Sequence, residues 1–529
     1  MDVRLTLCGL ALACAVLLAA AAVVRAEGGW EENKLSPVEL TKATIYTVEN
    51  APKTPAPEDL PLVEQVSQYG ITWTFDRKVR AGRFITGDWY VVGPVTVKAI
   101  DPKPLWGDEV TDPVDGLVIK ESELKGKLAR NGSVLNYPCD KPGVTGFGGW
   151  DSRHGKDQYR SELFRRLPIE MQPGDALISS ISRPSSELKL LNGKEYELKV
   201  MAVLTCVKEL QPADAFRPSF CDRGQTIFLA RNLHRERLLA LPRPASAPKS
   251  LQDWTRKLQL PWIDVTQFGF ISAWENMPRY GQWYSMTASH VSLCLSLDYP
   301  AAEKEPLLVN YVQCGIDLWG IVRAGHRGWQ GHGGYGGGRL WTILFAGLML
   351  DDAEMTALRT RYPKTLFGEV DQTAFGKHWM GYDTVFRSHA ANMKDSPDLR
   401  QPSEWKVNRD GFTNEGYRRC CSSREWLGTA LVARMMKAEK LWQHDAYFAY
   451  VDRWMTEDRS KMGELIEKAV LDKGPREMDS WGGKERFMSI ISGLKAPMED
   501  KSTSDPFQLE MWRKYRPTLP LAPKAPAAP

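Results

Sequence analysis

The chain has 529 residues, with 69 Lys and Arg against 65 Asp and Glu and a formal net charge of +4. That length exceeds what one hydrophobic core organises, so more than one domain is expected. The near-neutral balance gives no electrostatic footprint for nucleic acid, and it permits an acidic substrate without requiring one.

The first segment, MDVR followed by LTLCGLALACAVLLAAAAVV, ends in Val24-Arg25-Ala26. One basic residue, a long apolar run and a small-residue exit read as a secretory signal peptide over residues 1–26, cleaved after Ala26. An uncleaved anchor is the alternative, since the run nearly spans a bilayer. The polar GGWEENK that follows favours cleavage, hence a secreted or periplasmic protein with no membrane partner afterwards. Residues 1–26 hold Arg4 and Arg25 against Asp2, so the remainder carries +3. GRLWTILFAGLML is the next most apolar stretch and is too short to span. Seven cysteines follow the signal: Cys139, Cys206, Cys221, Cys294, Cys314, Cys420 and Cys421. Export permits disulfides, and Cys206–Cys221 suits a bridge within one domain. An odd number leaves at least one thiol free or paired between chains. The vicinal pair Cys420-Cys421 reads as two buried half-apolar residues, with a bridge from one of them to Cys294 or Cys314 left open.

Residues 27–65 are rich in Pro, Lys and Glu and read as an extended leader. From 66 to 240 the pattern is β. Ile71, Trp73 and Phe75 alternate with Thr72 and Thr74. WYVVGPVTVKAI and GLVIKES follow in the same style, and Asn192-Gly193 supplies the turn of a hairpin in which Tyr196, Leu198 and Val200 alternate with charges. Many short strands between turn signals predict an antiparallel β-sandwich. LPRPASAPKS (241–250) is the domain boundary. From 251 to 500 the period is helical. Leu308, Val312, Ile316 and Trp319 share one face over 304–323, and Leu427, Leu431, Met435, Ala438 and Trp442 share one over 426–442. Further helices are expected at 278–297, 338–350, 352–360 and 445–470. The resulting fold is a multi-domain β + α chain, a β-sandwich followed by an incomplete (α/α)6 toroid, with a low-complexity tail at 501–529.

The densest constellation is the glycine-rich segment from Arg323 to Arg339, which holds His326, Trp329, His332 and Tyr335 and runs into a helix N-terminus, where free amides favour an anion. Uronate β-elimination needs a group that draws charge from the sugar carboxylate, a base for the adjacent proton and an acid for the leaving oxygen. Arg339, His332 and Tyr335 suit those roles. A purely structural glycine connection is the bland alternative, and a metal site on His326 and His332 lacks an acidic third ligand. A second cluster spans Phe367 to His389. Tyr382, Phe386 and His389 fall on one helical face there, with Tyr382 or His389 as further acid/base groups and Trp379 as a sugar-stacking face. Core packing explains the same residues equally well. A third cluster holds Asn276, Arg279 and Trp283 as substrate contacts. Glu275, with Asp317 or Glu369, offers the paired carboxyls of a hydrolase instead. Trp150 to Arg160 and Asn414 to Arg419 are further polar clusters, and Arg418 is taken as a substrate contact. Nineteen Trp suit pyranose stacking and ordinary packing alike.

The helical array after export, with Asn276, His332, Tyr335, Arg339, Tyr382 and His389 in loops or on inward faces, resembles the α/α-toroid polysaccharide lyases of the alginate lyase and heparinase type. The likeness covers roughly residues 265–470, and the β-module-first order departs from those whose toroid comes first. The resemblance implies an Asn/Arg neutraliser with a His/Tyr pair; the expected partner is a polysaccharide substrate, and no cofactor is expected. An α/α glycoside hydrolase and a non-catalytic glycan-binding or cell-envelope protein are the competing expectations.

Overall fold

Alternation of apolar and polar residues places the first strands. β1 (Leu62–Gln68) pairs antiparallel with the long β2 (Ile71–Arg83), in which Ile71, Trp73 and Phe75 are fully buried and the two threonines are half-buried. Trp73 donates its indole N–H to Ser179 Oγ at 2.9 Å, so the ring is buried without an orphaned donor. The computed structural model describes residues 43–107, 109–111, 118–120, 128–140, 150–151, 160–183, 198–265, 273, 275–278, 281–331, 334, 336–387, 396–405, 414–499 and 505–522. They all belong to one of the chain's two compact units, Pro37–Pro529. The signal-peptide assignment and the Asn192-Gly193 turn lie outside them.

β3 (Trp89–Val92), β4 (Val95–Asp101), β5 (Ser133–Leu135), β6 (Ile169–Met171), β7 (Ala176–Ser182) and β8 (Leu198–Val207) complete an eight-stranded sheet in the order β6-β4-β2-β3-β8-β7-β5, with β1 on β2. The pairing of β8 with β3 is parallel, so the expected purely antiparallel arrangement gives way to a curled mixed sheet. The physical reason is the long excursion between these strands, since parallel neighbours require a crossover rather than a tight turn.

Nine longer helices follow among the described residues: α1 (Gln252–Gln259), α2 (Gly281–Leu295), α3 (Ala301–Arg323), α4 (Arg339–Leu350), α5 (Leu427–Met435), α6 (Asp445–Thr456), α7 (Arg459–Asp472), α8 (Lys484–Lys495) and α9 (Pro506–Tyr515). α3 is buried on every face from Leu307 to Val322, beyond the stripe read from the sequence. Its Gly315 lets α4 approach, because a Cβ there would lie 2.4 Å from the Ala346 Cβ. Three expected helices are broken. The helix over 426–442 stops at Met435, where Lys437 takes a left-handed φ of 57° and the Ala438 N–H closes on the Ala433 carbonyl. The helix over 445–470 divides at Glu457, whose extended backbone ends α6 before Asp458 caps α7 through the Lys461 N–H. Residues 352–360 form two single turns. At the ends, β1 starts inside the expected leader, and α9 occupies the expected tail, packing Phe507, Leu509, Met511 and Trp512 into the core. The Pro-rich boundary 241–250 is docked: Leu241 exchanges backbone bonds with Ser296 and Asp298, and Ser246 N–H donates to Glu510.

Sheet and helices meet over a buried ion triad. Arg217 donates to Asp88, before β3, at 2.8 Å and grips Asp317 of α3 at 3.0 and 2.6 Å. Burial pushes the Asp317 carboxyl up to about 6 despite that partner.

Candidate functional site

Between α3 and α4 the glycines of the 323–339 segment press against three other stretches of backbone. A Cβ on Gly334 would sit 2.1 Å from the Cys421 carbonyl oxygen and 2.6 Å from the Gln282 backbone. On Gly336 it would meet Gly368 Cα at 2.3 Å. Gly328, Gly334 and Gly338 also have φ of 85°, 80° and 87°, where a side chain is strained. Glycine density here therefore has a packing cause, as the structural alternative supposed. The segment closes on α4, which begins at Arg339 with no side-chain cap.

Several residues singled out in the sequence belong to the framework of this region. Arg339 is buried and bound through two nitrogens to Asp264, at 2.5 and 3.1 Å, with its guanidinium 3.6 Å from the Tyr284 ring centroid. It neutralises Asp264 rather than an incoming carboxylate. His326 hydrogen-bonds the Val265 carbonyl through Nε2 and accepts the Gly328 N–H at Nδ1, and burial pushes it down to about 4, so it is a neutral structural imidazole. Asn276 accepts from the Met201 N–H and donates to the Met201 and Pro261 carbonyls, stitching the segment before α2 to β8. Trp329 and Trp283 are buried and present no open face to a sugar. Arg418 is fully buried between Glu415 and Glu457. Tyr382 and Phe386 do not share a helix, because Thr384–Phe386 is a strand paired with Thr373–Phe375. Phe386 is core, whereas Tyr382 is half-buried and its oxygen accepts the Asp458 N–H. Trp379 is half-buried, edge-on to Trp405. His332, Tyr335, His389 and Arg279 lie outside the described residues. Of the paired carboxyls, Asp317 is held by Arg217.

What the structure brings together is Glu369 and Tyr417. The Tyr417 hydroxyl donates to Glu369 Oε1 at 2.5 Å, and the Gly336 N–H donates to Oε2 at 2.7 Å. A carboxylate and a phenol thus meet directly beneath the glycine segment. Tyr417 leads into a π-helical turn, Arg418–Ser422, a rare local winding that often accompanies functional sites. That turn carries a disulfide between the adjacent Cys420 and Cys421. Cys139, Cys206, Cys221, Cys294 and Cys314 remain thiols, so the expected Cys206–Cys221 bridge and a bridge to Cys294 or Cys314 are replaced by the vicinal one.

The same turn opens a buried charge cluster that sequence reading missed. Glu415 binds Arg418 and Arg419, Glu457 accepts from both, and Asp398 accepts from Arg453 at 2.8 Å. Burial opposes ionisation, but the neighbouring Arg418 and Arg419 hold Glu415 and Glu457 down at about 2. The i, i+3 and i+4 spacing of Glu415 with Arg418 and Arg419 was visible, yet it reads equally as a solvated helix face. His378, Asp398 and Glu415 bring ligand atoms within 4.8 Å of one another. A divalent cation fits them poorly: arginines already neutralise both carboxylates, and His378 Nδ1 accepts the Met380 N–H, which leaves the proton of the neutral ring on Nε2.

Comparison with known protein families, with curated proteins and with solved structures finds no match for this chain. No helix among the described residues is long and apolar enough to cross a membrane.

Proposed function

We propose that this chain is an exported glycan-active enzyme and, within that class, a lyase that cleaves uronate-containing polysaccharide by β-elimination. In this reading the helices from α2 onward form the incomplete α/α toroid, and the sheet region is its sandwich module. The observation that carries the proposal is the hydrogen bond from Tyr417 to Glu369 beneath a glycine segment that feeds a helix N-terminus.

Elimination removes the proton next to the sugar carboxylate, forms a carbon–carbon double bond and breaks the bond to the leaving oxygen, which takes up a proton. A phenol suits that last transfer: Tyr417 gives the one proton that Glu369 holds in the resting protein to the leaving oxygen and is reprotonated from solvent. Glu369, fixed in turn by the Gly336 N–H, keeps the phenol protonated between turnovers. His332 and Tyr335 are proposed as the base that takes the carbon-bound proton, with His389 and Tyr382 as further proton carriers. Neutralisation of the sugar carboxylate falls to loop amides, because Arg339 is engaged by Asp264.

Product mass tests this reading. Oligosaccharides released from a uronate polysaccharide by elimination lack the water that hydrolysis adds. Products carrying that water would move the assignment to Glu275 and Glu369, and binding without any product would make the chain a glycan-binding protein.

A further inference from the structure

Among the described residues, the charge cluster below the π-helical turn does not balance. Four guanidinium groups, Arg418, Arg419, Arg453 and Arg459, face three carboxylates, Asp398, Glu415 and Glu457. His378 adds no charge near neutrality, since burial and then Arg453 push it down to about 4. Three of the four arginines crowd one indole: Arg418, Arg419 and Arg459 lie 5.4, 5.7 and 4.1 Å from the Trp454 ring centroid. Glu457 serves three partners at once, accepting from Arg418 at 2.9 Å and Arg419 at 3.2 Å and standing 3.4 Å from Arg453.

Donors remain over. Among the described residues, Arg419 Nη1 and Arg459 Nε and Nη1 are buried and reach no acceptor, and the Arg459 Nη2 nitrogen meets the Met498 sulfur at 3.3 Å. Arg459 is 6% exposed and Arg419 is 7% exposed, so both guanidinium groups are largely withdrawn from bulk solvent. Burial, followed by the charge of Arg419, weakens the hold of Arg459 on its proton to about 9. Buried guanidinium N–H groups without acceptors, beside like charges, are among the costliest arrangements in a protein interior. An anion removes both costs together, and the planar guanidinium fork is suited to an oxyanion.

We propose that Arg419 and Arg459, at the rim of the Trp454 cluster, form a binding site for a small oxyanion, a carboxylate or sulfate group carried by a ligand. Asp398, Glu415 and Glu457 offset three of the four guanidinium charges, and an anionic group completes the balance. The π-helical turn carries Arg419 of this site and begins next to Tyr417. The inference stands on the unpaired donors alone and does not depend on lyase chemistry.

The test is thermal unfolding of the full chain in sodium sulfate, sodium glucuronate or glucose, against sodium chloride at matched ionic strength. Sulfate or glucuronate is expected to raise the midpoint saturably, by roughly 3 °C at a hundredfold excess over its dissociation constant. Glucose is expected to do nothing. A response to glucuronate alone identifies a carboxylate group, a response to sulfate alone identifies a sulfate group, and a response to both identifies a site that accepts either oxyanion. Arg459→Gln is expected to abolish the response. Should that variant fail to fold, Arg459→Lys is expected to weaken the saturation about tenfold, because the fork is lost and the charge kept. No saturable shift beyond chloride, or an equal shift in the Arg459 variants, overturns the proposal.

Discussion

The phenol of Tyr417 donates to the carboxylate of Glu369 across 2.5 Å, although 48 positions separate them. The contact exists because glycines at 336 and 368 let two backbone segments touch, which brings the Glu369 side chain under the loop.

Tyr417→Phe keeps the ring, which stacks on Phe386, and removes only the hydroxyl. Loss of a positioned general acid costs ~100- to 10,000-fold in rate. Turnover on a uronate polysaccharide is therefore expected to fall by that order while the unfolding midpoint moves little. Rates and melting curves of the purified variant check this.

Two glycines separate packing from backbone strain. Gly334 and Gly381 have similar left-handed φ of 80° and 88°, but only Gly334 is crowded, whereas nothing lies within 4 Å of a Cβ on Gly381. Gly381→Ala is expected to cost about 1 kcal/mol of stability, the conformational term alone. Gly334→Ala is expected to cost well beyond that, since backbone rather than a flexible side chain must move. Chemical denaturation of both variants reads the difference.

The ion triad that joins sheet to helices makes a third case. Arg217→Met leaves Asp88 and Asp317 buried without their cation. Removing one partner of a buried pair costs on the order of 3–5 kcal/mol. Adding Asp317→Asn and Asp88→Asn to that variant is expected to recover much of the loss, and equilibrium unfolding of single and triple variants measures it.

Much of this frame was legible in the sequence. Alternation at Ile71, Trp73 and Phe75 survives because it reports which side of the strand is buried, and the 3.6-residue period around Leu308 to Trp319 gives a helix, though one buried all round rather than on a stripe. What was illegible depends on partners distant in the chain. Asp264 captures Arg339, Met201 captures Asn276 and Val265 captures His326, so polar residues that look free for chemistry become framework. The break after Met435 and the pairing of Thr384–Phe386 with Thr373–Phe375 turn on one left-handed residue and one register, neither of which periodicity encodes. Arg453, Glu457 and Arg459 gave no signal, because charges on or beside an amphipathic helix ordinarily face water.

His326 gives a pH-dependent test. Its ring is neutral in the fold, with a value near 4 against the ordinary 6.5. Between those values the unfolded chain binds the proton that the native chain refuses, so this group's contribution is complete above about pH 6.5 and is lost as pH falls toward 4. His326→Gln is expected to lower stability at neutral pH and to flatten the decline between pH 6.5 and 4. Unfolding free energies across that range check the slope.

The most direct test of the central claim is the ultraviolet absorbance of unsaturated uronate products while the protein acts on a panel of uronate polysaccharides. The account predicts a steady rise with at least one polymer, reduced at least about a hundredfold by Tyr417→Phe. No rise with any uronate polymer, or an undiminished rise in Tyr417→Phe, would contradict it.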